Sequence, residues 1–144
     1  MLELGCPDLA SDPATIRVAK NEVVQVEFAA AAGALGSAVG LNRHEAGDAL
    51  ITGSTGDRWC VSRDRFDAKY RPCGDSPVGA SGAYRNIPVT VLAKQIPLPF
   101  HIARRPGGDV LEGRAGDWVV QYGTDDYGVV DAARFASVYR RSEV

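Results

Sequence analysis

The chain has 144 residues, of which 45% are hydrophobic, and its 16 basic and 18 acidic side chains give a formal net charge of −2. This composition is that of an ordinary globular protein, and interspersed charges argue against a nucleic acid as the main partner, because phosphate binding needs clustered cations. No run of about 18 apolar residues occurs, so the sequence predicts no segment that spans a membrane.

The cysteines and the N-terminus indicate a protein of the reducing cytoplasm. Cys6, Cys60 and Cys73 are odd in number and lack C-x-x-C spacing, so they predict neither a disulfide framework nor a zinc site. Residues 1–7 lack the basic region and the apolar stretch of about 7–15 residues that precede the cleavage site of a secreted protein. We therefore expect a cytoplasmic protein without a cofactor or a metal ion.

In the first half of the chain, the hydrophobic pattern predicts a strand and two helices. Residues 24–28 alternate between apolar and polar side chains, as a half-buried strand does. The Ala- and Gly-rich segment 29–39 shows no such alternation and is assigned a short helix, since alanine favours helix formation. Ser62 is placed to cap a second helix, whose apolar pair is Phe66 and Tyr70.

The second half predicts several strands and one helix. Residues 89–91 and 100–103 have the pattern of strands. Residues 117–122 and 127–130 flank a Gly-containing turn and predict a hairpin. Asp131 lies where a helix N-cap belongs. The apolar face of that helix consists of Ala132, Phe135, Val138 and Tyr139.

The most informative feature is an internal repeat. A shift of 69 residues aligns residues 46–71 with residues 115–140 without a gap, and ten of the 26 pairs are identical. Both copies contain A-G-D, an apolar run, a Gly-containing loop, a second apolar pair and F-x-x-x-Y-R. The identical pairs are Ala46/Ala115, Gly47/Gly116, Asp48/Asp117, Thr55/Thr124, Asp57/Asp126, Val61/Val130, Arg65/Arg134, Phe66/Phe135, Tyr70/Tyr139 and Arg71/Arg140.

Upstream of these segments the two copies match more weakly. Residues 20–26 align with residues 85–91 at a shift of 65. We place the first repeat at residues 14–72 and the second at 84–144, with a linker rich in Gly, Pro and Ser at 73–83 between them.

The sequence thus predicts an α+β fold built from two tandem repeats. Each repeat is expected to be a small antiparallel sheet of hairpins followed by a C-terminal helix. A unit of about 60 residues is near the lower limit for burying an adequate core, so we expect the two repeats to pack together with pseudo-twofold symmetry.

Three short motifs of the second copy carry a family resemblance. They are Y-R-N-I-P-V at residues 84–89, A-G-D-W at 115–118 and F-A-S-V-Y at 135–139. Through them the second copy resembles the bacterial PGDYG family, although Ala115 and Trp118 stand where the namesake motif has proline and tyrosine. The first copy lacks the aromatic residue of the motif and is a diverged member. The resemblance implies a small bacterial or prophage protein of unknown function and supplies no catalytic residue.

Several of the shared residues have both a structural and a functional interpretation. The Gly-Asp pairs at 47–48 and 116–117 fit a duplicated carboxylate site, but a tight turn at the entry to a strand selects the same residues. Tyr70 and Tyr139 follow a phenylalanine by four residues, which favours the core over a ligand site. The structural interpretation is the stronger in both cases.

Positions at which the copies differ point to a ligand site in the second repeat. Aromatic rings and forked cations there suit a planar anionic ligand such as a nucleotide. The alternative is a purely structural role, in which the aromatic residues line the sheet and the arginines are solvated. The candidate ligand-binding residues are Arg104, Arg105, Trp118, Tyr122 and Tyr127.

Enzyme chemistry would need converging titratable groups, for which the sequence offers few. His44 and His101 lack the H-x-x-x-H spacing that puts two metal ligands on one helix face. We therefore name no catalytic and no metal-binding residue. The groups that could supply a site in the second repeat are His101, Asp117, Asp125 and Asp126.

We expect a non-catalytic binding or interaction module for a small anionic or nucleotide-like ligand. A small molecule or a protein is the expected partner, and neither a nucleic acid nor a membrane is. The alternatives are a small enzyme that uses carboxylates of the second repeat and a structural or assembly accessory protein of prophage origin. A deep pocket lined by carboxylates would favour the enzyme, and a large exposed apolar patch would favour assembly. The oligomeric state is left open.

Overall fold

The computed structural model describes residues 1–37 and 40–142. Within these ranges the chain forms fifteen strands and two helices of seven residues each. The first eight strands are β1 (Leu2–Glu3), β2 (Ile16–Lys20), β3 (Val23–Phe28), β4 (Gly33–Ser37), β5 (Gly40–His44), β6 (Ala49–Thr52), β7 (Arg58–Val61) and β8 (Tyr70–Pro72). The others are β9 (Gly82–Asn86), β10 (Thr90–Gln95), β11 (Phe100–Ala103), β12 (Val110–Gly113), β13 (Trp118–Gly123), β14 (Asp126–Val130) and β15 (Tyr139–Arg141). The helices are α1 (Arg63–Lys69) and α2 (Ala132–Val138).

The α+β class predicted from the sequence is wrong, because the described chain is mostly β-structure arranged in four sheets. Each copy contains a hairpin, β6–β7 or β13–β14, and a helix after it. That helix is short and leads directly into another strand, β8 or β15, so it is not the last element of its repeat. A seven-residue helix has little stability of its own and depends on the sheet that it covers. Neither described helix is long and apolar enough to cross a membrane.

The short helix predicted over residues 29–39 is also wrong. β4 and β5 pair there as a two-stranded antiparallel hairpin. Each glycine of this segment opposes a helix by about 1 kcal/mol, whereas the hairpin buries Leu35. Residues 38 and 39 of the predicted helix lie outside the described residues.

The described chain divides into two compact units. Unit 2 is the continuous segment Asn21–Pro88, and unit 1 consists of Met1–Lys20 together with the chain from Val89 onward. Unit 2 is thus an insertion into the sequence of unit 1. This division differs from the division into sequence copies, because strands of both copies contribute to each unit.

The core of unit 2 lies between α1 and one face of a five-stranded antiparallel sheet with the order β7-β6-β3-β9-β8. Phe66 of α1 is fully buried, and its ring stacks on Tyr70 with 5.0 Å between the centroids. The strands contribute Val24, Val26, Ala49, Ile51 and Tyr84 to this core.

Unit 1 has the same sheet plan, and its second sheet has three strands, whereas the second sheet of unit 2, β4–β5, has two and contacts β7. Its five-stranded sheet has the order β14-β13-β10-β2-β15, and α2 covers one face. Phe135 of α2 stacks on Trp118 at 3.8 Å and on Tyr139 at 4.9 Å between ring centroids. A three-stranded sheet, β1-β11-β12, covers the opposite face and encloses a second core. That core contains Leu9, Ile96, Phe100, Ile102, Val119 and Tyr127.

The first strand of each copy pairs within the sheet of the other copy. β2, from the first copy, lies between β10 and β15, and β9, from the second copy, lies between β3 and β8. Each copy therefore completes its own sheet with a strand exchanged from the other. β9 begins at Gly82, within the segment predicted as a linker.

The pairing of the strands also corrects the alignment of the two copies upstream of residues 46 and 115. Ala19 of β2 is directly opposite Arg140, and Arg85 of β9 is directly opposite Arg71. Because Arg71 and Arg140 are equivalent in the two copies, Ala19 corresponds to Arg85, which is a shift of 66. The same comparison of β3 with β10, through their pairing with β6 and β13, gives a shift of 67. The predicted shift of 65 is wrong, and the error matters because a slip of one residue reverses the face on which a strand side chain lies.

The shared F-x-x-x-Y-R motif ends a helix and starts a strand in both units. The phenylalanine and the tyrosine of each motif are buried and stacked on each other, which confirms Tyr70 and Tyr139 as core residues. The arginine, Arg71 or Arg140, donates from Nη1 to two carbonyl oxygens at the end of the helix. These carbonyls have no partner within the helix, so the arginine satisfies them.

The shared Gly-Asp pair forms the same turn in both units. Gly47 and Gly116 have φ angles of 89° and 93°, a backbone conformation that favours glycine. The carboxylates of Asp48 and Asp117 each accept a hydrogen bond of 2.9 Å from the backbone N–H three residues earlier. The structural interpretation of the pair is therefore confirmed.

The two predicted helix caps differ. The Asp131 side chain accepts a hydrogen bond of 2.8 Å from the Arg134 backbone N–H, which confirms it as the N-cap of α2. Ser62 occupies the N-cap position of α1 but makes no capping hydrogen bond through its side chain.

The ion pair between Asp12 and Lys94 makes the stability of unit 1 depend on pH. Lys94 Nζ donates to the Asp12 carboxylate, and this contact, with a further hydrogen bond from the Ala14 backbone N–H, holds the pKa of Asp12 below its ordinary value of 3.8. Because the folded-state pKa is depressed, the stabilisation is present above pH 3.8 and is lost as the pH falls through the folded value.

We expect Asp12→Asn to lower the melting temperature near neutral pH, and the difference from the wild type to shrink as the pH falls below 3.8. Calorimetric melting over a pH series measures this difference. A deficit that stays constant across the series would show that the carboxylate charge is not responsible.

Candidate functional site

The face of the unit 2 sheet opposite α1 carries mostly polar side chains. Alternation along β3 directs Val24 and Val26 into the core under α1, and Gln25 and Glu27 to the other face. The pairing of β3 with β6 and of β6 with β7 continues this face across three strands. We call it the open face of unit 2, and its central residues are Gln25, Glu27, Leu50, Thr52 and Arg58, all exposed or half-buried.

The equivalent face of unit 1 is partly buried. Leu92 and Tyr127 occupy the positions that correspond to Gln25 and Arg58. Tyr127 belongs to the second core beneath the three-stranded sheet, and the half-buried Leu92 packs against that core. The Tyr127 hydroxyl donates to the Pro7 carbonyl oxygen at 3.0 Å. The units therefore share a sheet plan but differ in how far a second layer covers this face. In unit 2 the β4–β5 hairpin contacts β7, where the Cys60 thiol meets the Arg43 carbonyl oxygen, but Gln25, Glu27 and Arg58 remain exposed.

A groove of about 290 Å³ lies on the open face. Three of its polar side chains form a row across three strands, because Gln25 is directly opposite Thr52, and Thr52 is directly opposite Arg58. Directly opposite side chains stand about 4.5–5.5 Å apart at Cβ, so the row can contact one small molecule. The rest of the lining includes Glu27, Leu50, Ser81 and Gly82.

The polar side chains of the groove are not engaged within the protein. Among the residues that the structure describes, Gln25, Glu27, Thr52 and Arg58 have no side-chain hydrogen bond or ion pair. A ligand can therefore bind these groups without first breaking a contact inside the protein.

A buried carboxylate fixes the hairpin turn that ends the groove. Glu22 is 3% exposed, and its Oε2 accepts hydrogen bonds from the backbone N–H and the hydroxyl of Ser54, at 2.9 and 2.8 Å. The Glu22 backbone N–H in turn donates to Asn86 Oδ1 at 2.8 Å. Because Ser54 lies in the turn between β6 and β7, these bonds hold Thr52 and Arg58 in register.

Cys60 lies on the same face, directly opposite Leu50, but does not line the groove. Its thiol donates to the Arg43 carbonyl oxygen at 3.3 Å. Burial, with a smaller effect of the Asp48 carboxylate, raises the pKa of the Cys60 thiol above its ordinary value. The thiol is therefore protonated at neutral pH and is a poor nucleophile.

The structure does not gather the predicted residues of the second repeat into one pocket. Trp118 and Tyr122 lie on the α2 face of the unit 1 sheet, whereas Tyr127 lies on the opposite face. Arg104 and Arg105 follow β11, and Arg105 is the more exposed of the two. The rings of Trp118 and Tyr127 are part of the two cores of unit 1. Ligand binding by these five residues stays a prediction.

Tyr122 has a packing role that unit 2 fulfils in another way. The residue is 46% exposed, but its ring lies against Gly128 and its hydroxyl hydrogen-bonds to Tyr139. Burial of the hydroxyl raises the pKa of Tyr122, and the bond to Tyr139 offsets part of that rise. In unit 2 the ring of Trp59, at the position of Gly128, lies against Gly53, at the position of Tyr122. The aromatic residue and the glycine have exchanged strands.

A second exchange of this kind involves Trp118. In unit 1 Gln95 is opposite Trp118, whereas in unit 2 Phe28 is opposite Ala49. Phe28 packs edge-on against Phe66 of α1 with 5.5 Å between the centroids, so it supplies the aromatic contact that Trp118 makes with α2. The aromatic differences between the copies thus have an explanation in core packing.

The groups named for metal binding or catalysis are dispersed. His44 lies on β5 of unit 2 and His101 on β11 of unit 1, where its Nδ1 is 3.7 Å from Glu3 Oε1. Asp117 is 6% exposed, and its two carboxylate oxygens accept backbone hydrogen bonds at 2.9 and 3.3 Å, which is a structural role. In the part of the chain that the structure describes, no group of three His, Cys, Asp or Glu side chains could hold a metal ion.

The residues of the groove were not predicted from the sequence. The alternation over residues 24–28 was a usable signal, because it marks Gln25 and Glu27 as the polar side of β3. Their alignment with the half-buried Leu92 and the ion-paired Lys94 appears only at the corrected shift of 67. The predicted shift of 65 therefore concealed the difference between the faces.

Comparison with known proteins places the chain in a family. The family model described as PGDYG protein matches residues 40–140, which is more than half of the chain and extends from β5 into β15. No curated protein and no solved structure matches it. The resemblance inferred from the motifs of the second copy is confirmed, and the match reaches well into the first copy. The chain belongs to the PGDYG protein family.

Proposed function

We propose that the protein is a non-catalytic binding module that holds a small molecule through its acidic group in the groove of unit 2, with Arg58 as the anchor. The observation that supports this most directly is the contrast between the units. Unit 1 covers one sheet face with a second layer, and unit 2 has polar, unengaged side chains on the equivalent face.

The chemistry of the row suits an acidic group. The Arg58 guanidinium can pair with a carboxylate or phosphate through two parallel hydrogen bonds. Thr52 and Gln25 stand beside it in the row and can donate further hydrogen bonds. A groove of about 290 Å³ is at the lower end of the range of small-molecule sites, so the ligand is a small metabolite.

Binding is better supported than catalysis. General acid–base chemistry needs two groups that change protonation near neutral pH and converge on the substrate. Among the lining residues of the groove, Glu27 is the one carboxylate, and the lining includes no histidine or cysteine. Cys60, the nearest thiol on this face, is held in its protonated form.

We also propose that the protein works in the cytoplasm. Cys6, Cys60 and Cys73 are all free thiols in the structure. Unpaired, partly exposed cysteines are typical of a reducing compartment.

A thermal-shift screen of small carboxylates and phosphates tests the proposed function. A true ligand at 100 times its dissociation constant should stabilise the wild type by about 2.7 kcal/mol. Arg58→Gln should raise the dissociation constant of that ligand about tenfold or more, because it removes the paired hydrogen bonds and the charge. Isothermal titration calorimetry measures the change.

Arg105→Gln is the matched control, since it neutralises an exposed arginine of the second-repeat prediction. We expect it to bind the ligand as the wild type does. Binding that survives Arg58→Gln but is lost in Arg105→Gln or Trp118→Leu would contradict the proposed function and favour the second-repeat site.

A further inference from the structure

The groove contains a second charged side chain, which constrains the ligand. Glu27 lines the same groove as Arg58. Its strand, β3, is separated from β7 by β6, and Glu27 is displaced from Arg58 by two residues in the direction of the strands. With about 4.8 Å between strands and about 3.4 Å per residue, the Cα atoms of Glu27 and Arg58 are about 12 Å apart. Side chains stand roughly perpendicular to a sheet, so their charged ends are separated by a similar distance.

A ligand with a single charge does not suit this arrangement. An anion held by Arg58 has the Glu27 carboxylate in the same groove, and a cation held by Glu27 has the Arg58 guanidinium there. A molecule that carries both charges, at opposite ends, satisfies both side chains. On β6, between the two charges, Leu50 is directly opposite Glu27 and Thr52 is directly opposite Arg58. The Thr52 hydroxyl offers a donor and an acceptor to a neutral polar group in the middle of the ligand.

Resting on the proposed function, we infer that the ligand is a free dipeptide, with its carboxylate on Arg58 and its ammonium group on Glu27. Two extended residues span about 7 Å. A charge-assisted hydrogen bond adds about 2.8 Å at each end, so a dipeptide covers the separation of about 12 Å. Its peptide group then lies over β6, between Leu50 and Thr52. A single amino acid is too short to contact both charged side chains at once.

Isothermal titration calorimetry on the full chain tests the assignment with three forms of one dipeptide panel, composed of Ala, Ser, Asp and Lys. The forms are the free dipeptides, their N-acetyl derivatives and their C-terminal amides. We expect the best free dipeptide to bind about tenfold or more tightly than either of its blocked forms. Glu27→Gln should abolish the preference for the free dipeptide over its N-acetyl form. Arg58→Gln should weaken the binding of both of these forms. Glu112→Gln, an exposed control in unit 1, should leave both affinities unchanged.

The outcomes separate this inference from the proposed function. If N-acetyl dipeptides or inorganic phosphate bind as tightly as free dipeptides, and binding depends on Arg58, the proposed function stands and the dipeptide assignment is overturned. Equal binding of the single amino acids overturns the assigned length. If no member of the panel binds to the wild type, the dipeptide assignment is overturned as well, whatever the metabolite screen finds.

Discussion

Truncation of Phe66 to alanine should lower the free energy of unfolding of unit 2 by about 3–5 kcal/mol. The ring is fully buried, stacked on Tyr70 and edge-on to Phe28 and Tyr84, at centroid distances of 4.8 to 5.5 Å. Its removal loses the transfer free energy of the ring and leaves a cavity between rings that cannot close over it. Since whole domains are stable by about 5–15 kcal/mol, this variant is near the threshold of unfolding.

Urea unfolding followed by tryptophan fluorescence measures the effect unit by unit, because the chain has two tryptophans, Trp59 in unit 2 and Trp118 in unit 1. Phe66→Leu keeps much of the buried volume and should cost clearly less than alanine. Phe135→Ala should produce a comparable loss in unit 1. An unchanged midpoint for Phe66→Ala would show that the ring is not part of the core.

Substitution of Gly113 by alanine should destabilise unit 1 by about 1–3 kcal/mol or more, even though only one methyl group is added. Gly113 on β12 is directly opposite Phe100 on β11, and a Cβ atom there would overlap the phenylalanine ring. Phe100 is itself fully buried in the second core, so its ring has no free space into which it could move. The added atom must therefore displace the backbone or force the ring from its rotamer.

Gly123→Ala is the control for this prediction. A Cβ atom at Gly123 meets no atom within 4 Å, and the backbone there is not in the left-handed region. We expect a change within about 0.5 kcal/mol for this variant. Thermal unfolding compares the two variants directly. Equal melting temperatures would mean that the close approach of Phe100 to Gly113 does not affect the stability of unit 1.

Sequence reasoning predicted the parts of the fold that depend on neighbouring residues. The Gly-Asp turn, the Asp131 cap and the buried positions of Phe66 and Phe135 all follow from motifs a few residues long. It failed where pairing partners are distant. The partners of β2 are supplied by the other copy, and no local pattern identifies them. The helix predicted over residues 29–39 failed because strand pairing outweighed the propensity of alanine.

The candidate site was less predictable than the fold. The polar face of β3 is visible in the sequence, but Arg58 joins Gln25 only through the register of two further strands. The more important fact, that the two units cover this face to different extents, depends on how a separate sheet packs against it. The ligand site was instead predicted at large aromatic residues such as Trp118. The differences between the copies at these positions follow from packing against α1 and α2.

The insertion of unit 2 into unit 1 also has a consequence during translation. All strands of unit 2 have been synthesised once Pro88 is added, so this unit can close while the ribosome is still elongating the chain. β2 is made before it, yet its neighbours in the sheet are β10 and β15, and β15 begins at Tyr139. At about 5–20 residues per second, the edge of β2 that pairs with β15 waits for roughly 6–24 seconds without its partner. This nascent strand is therefore the segment on which a chaperone would act first.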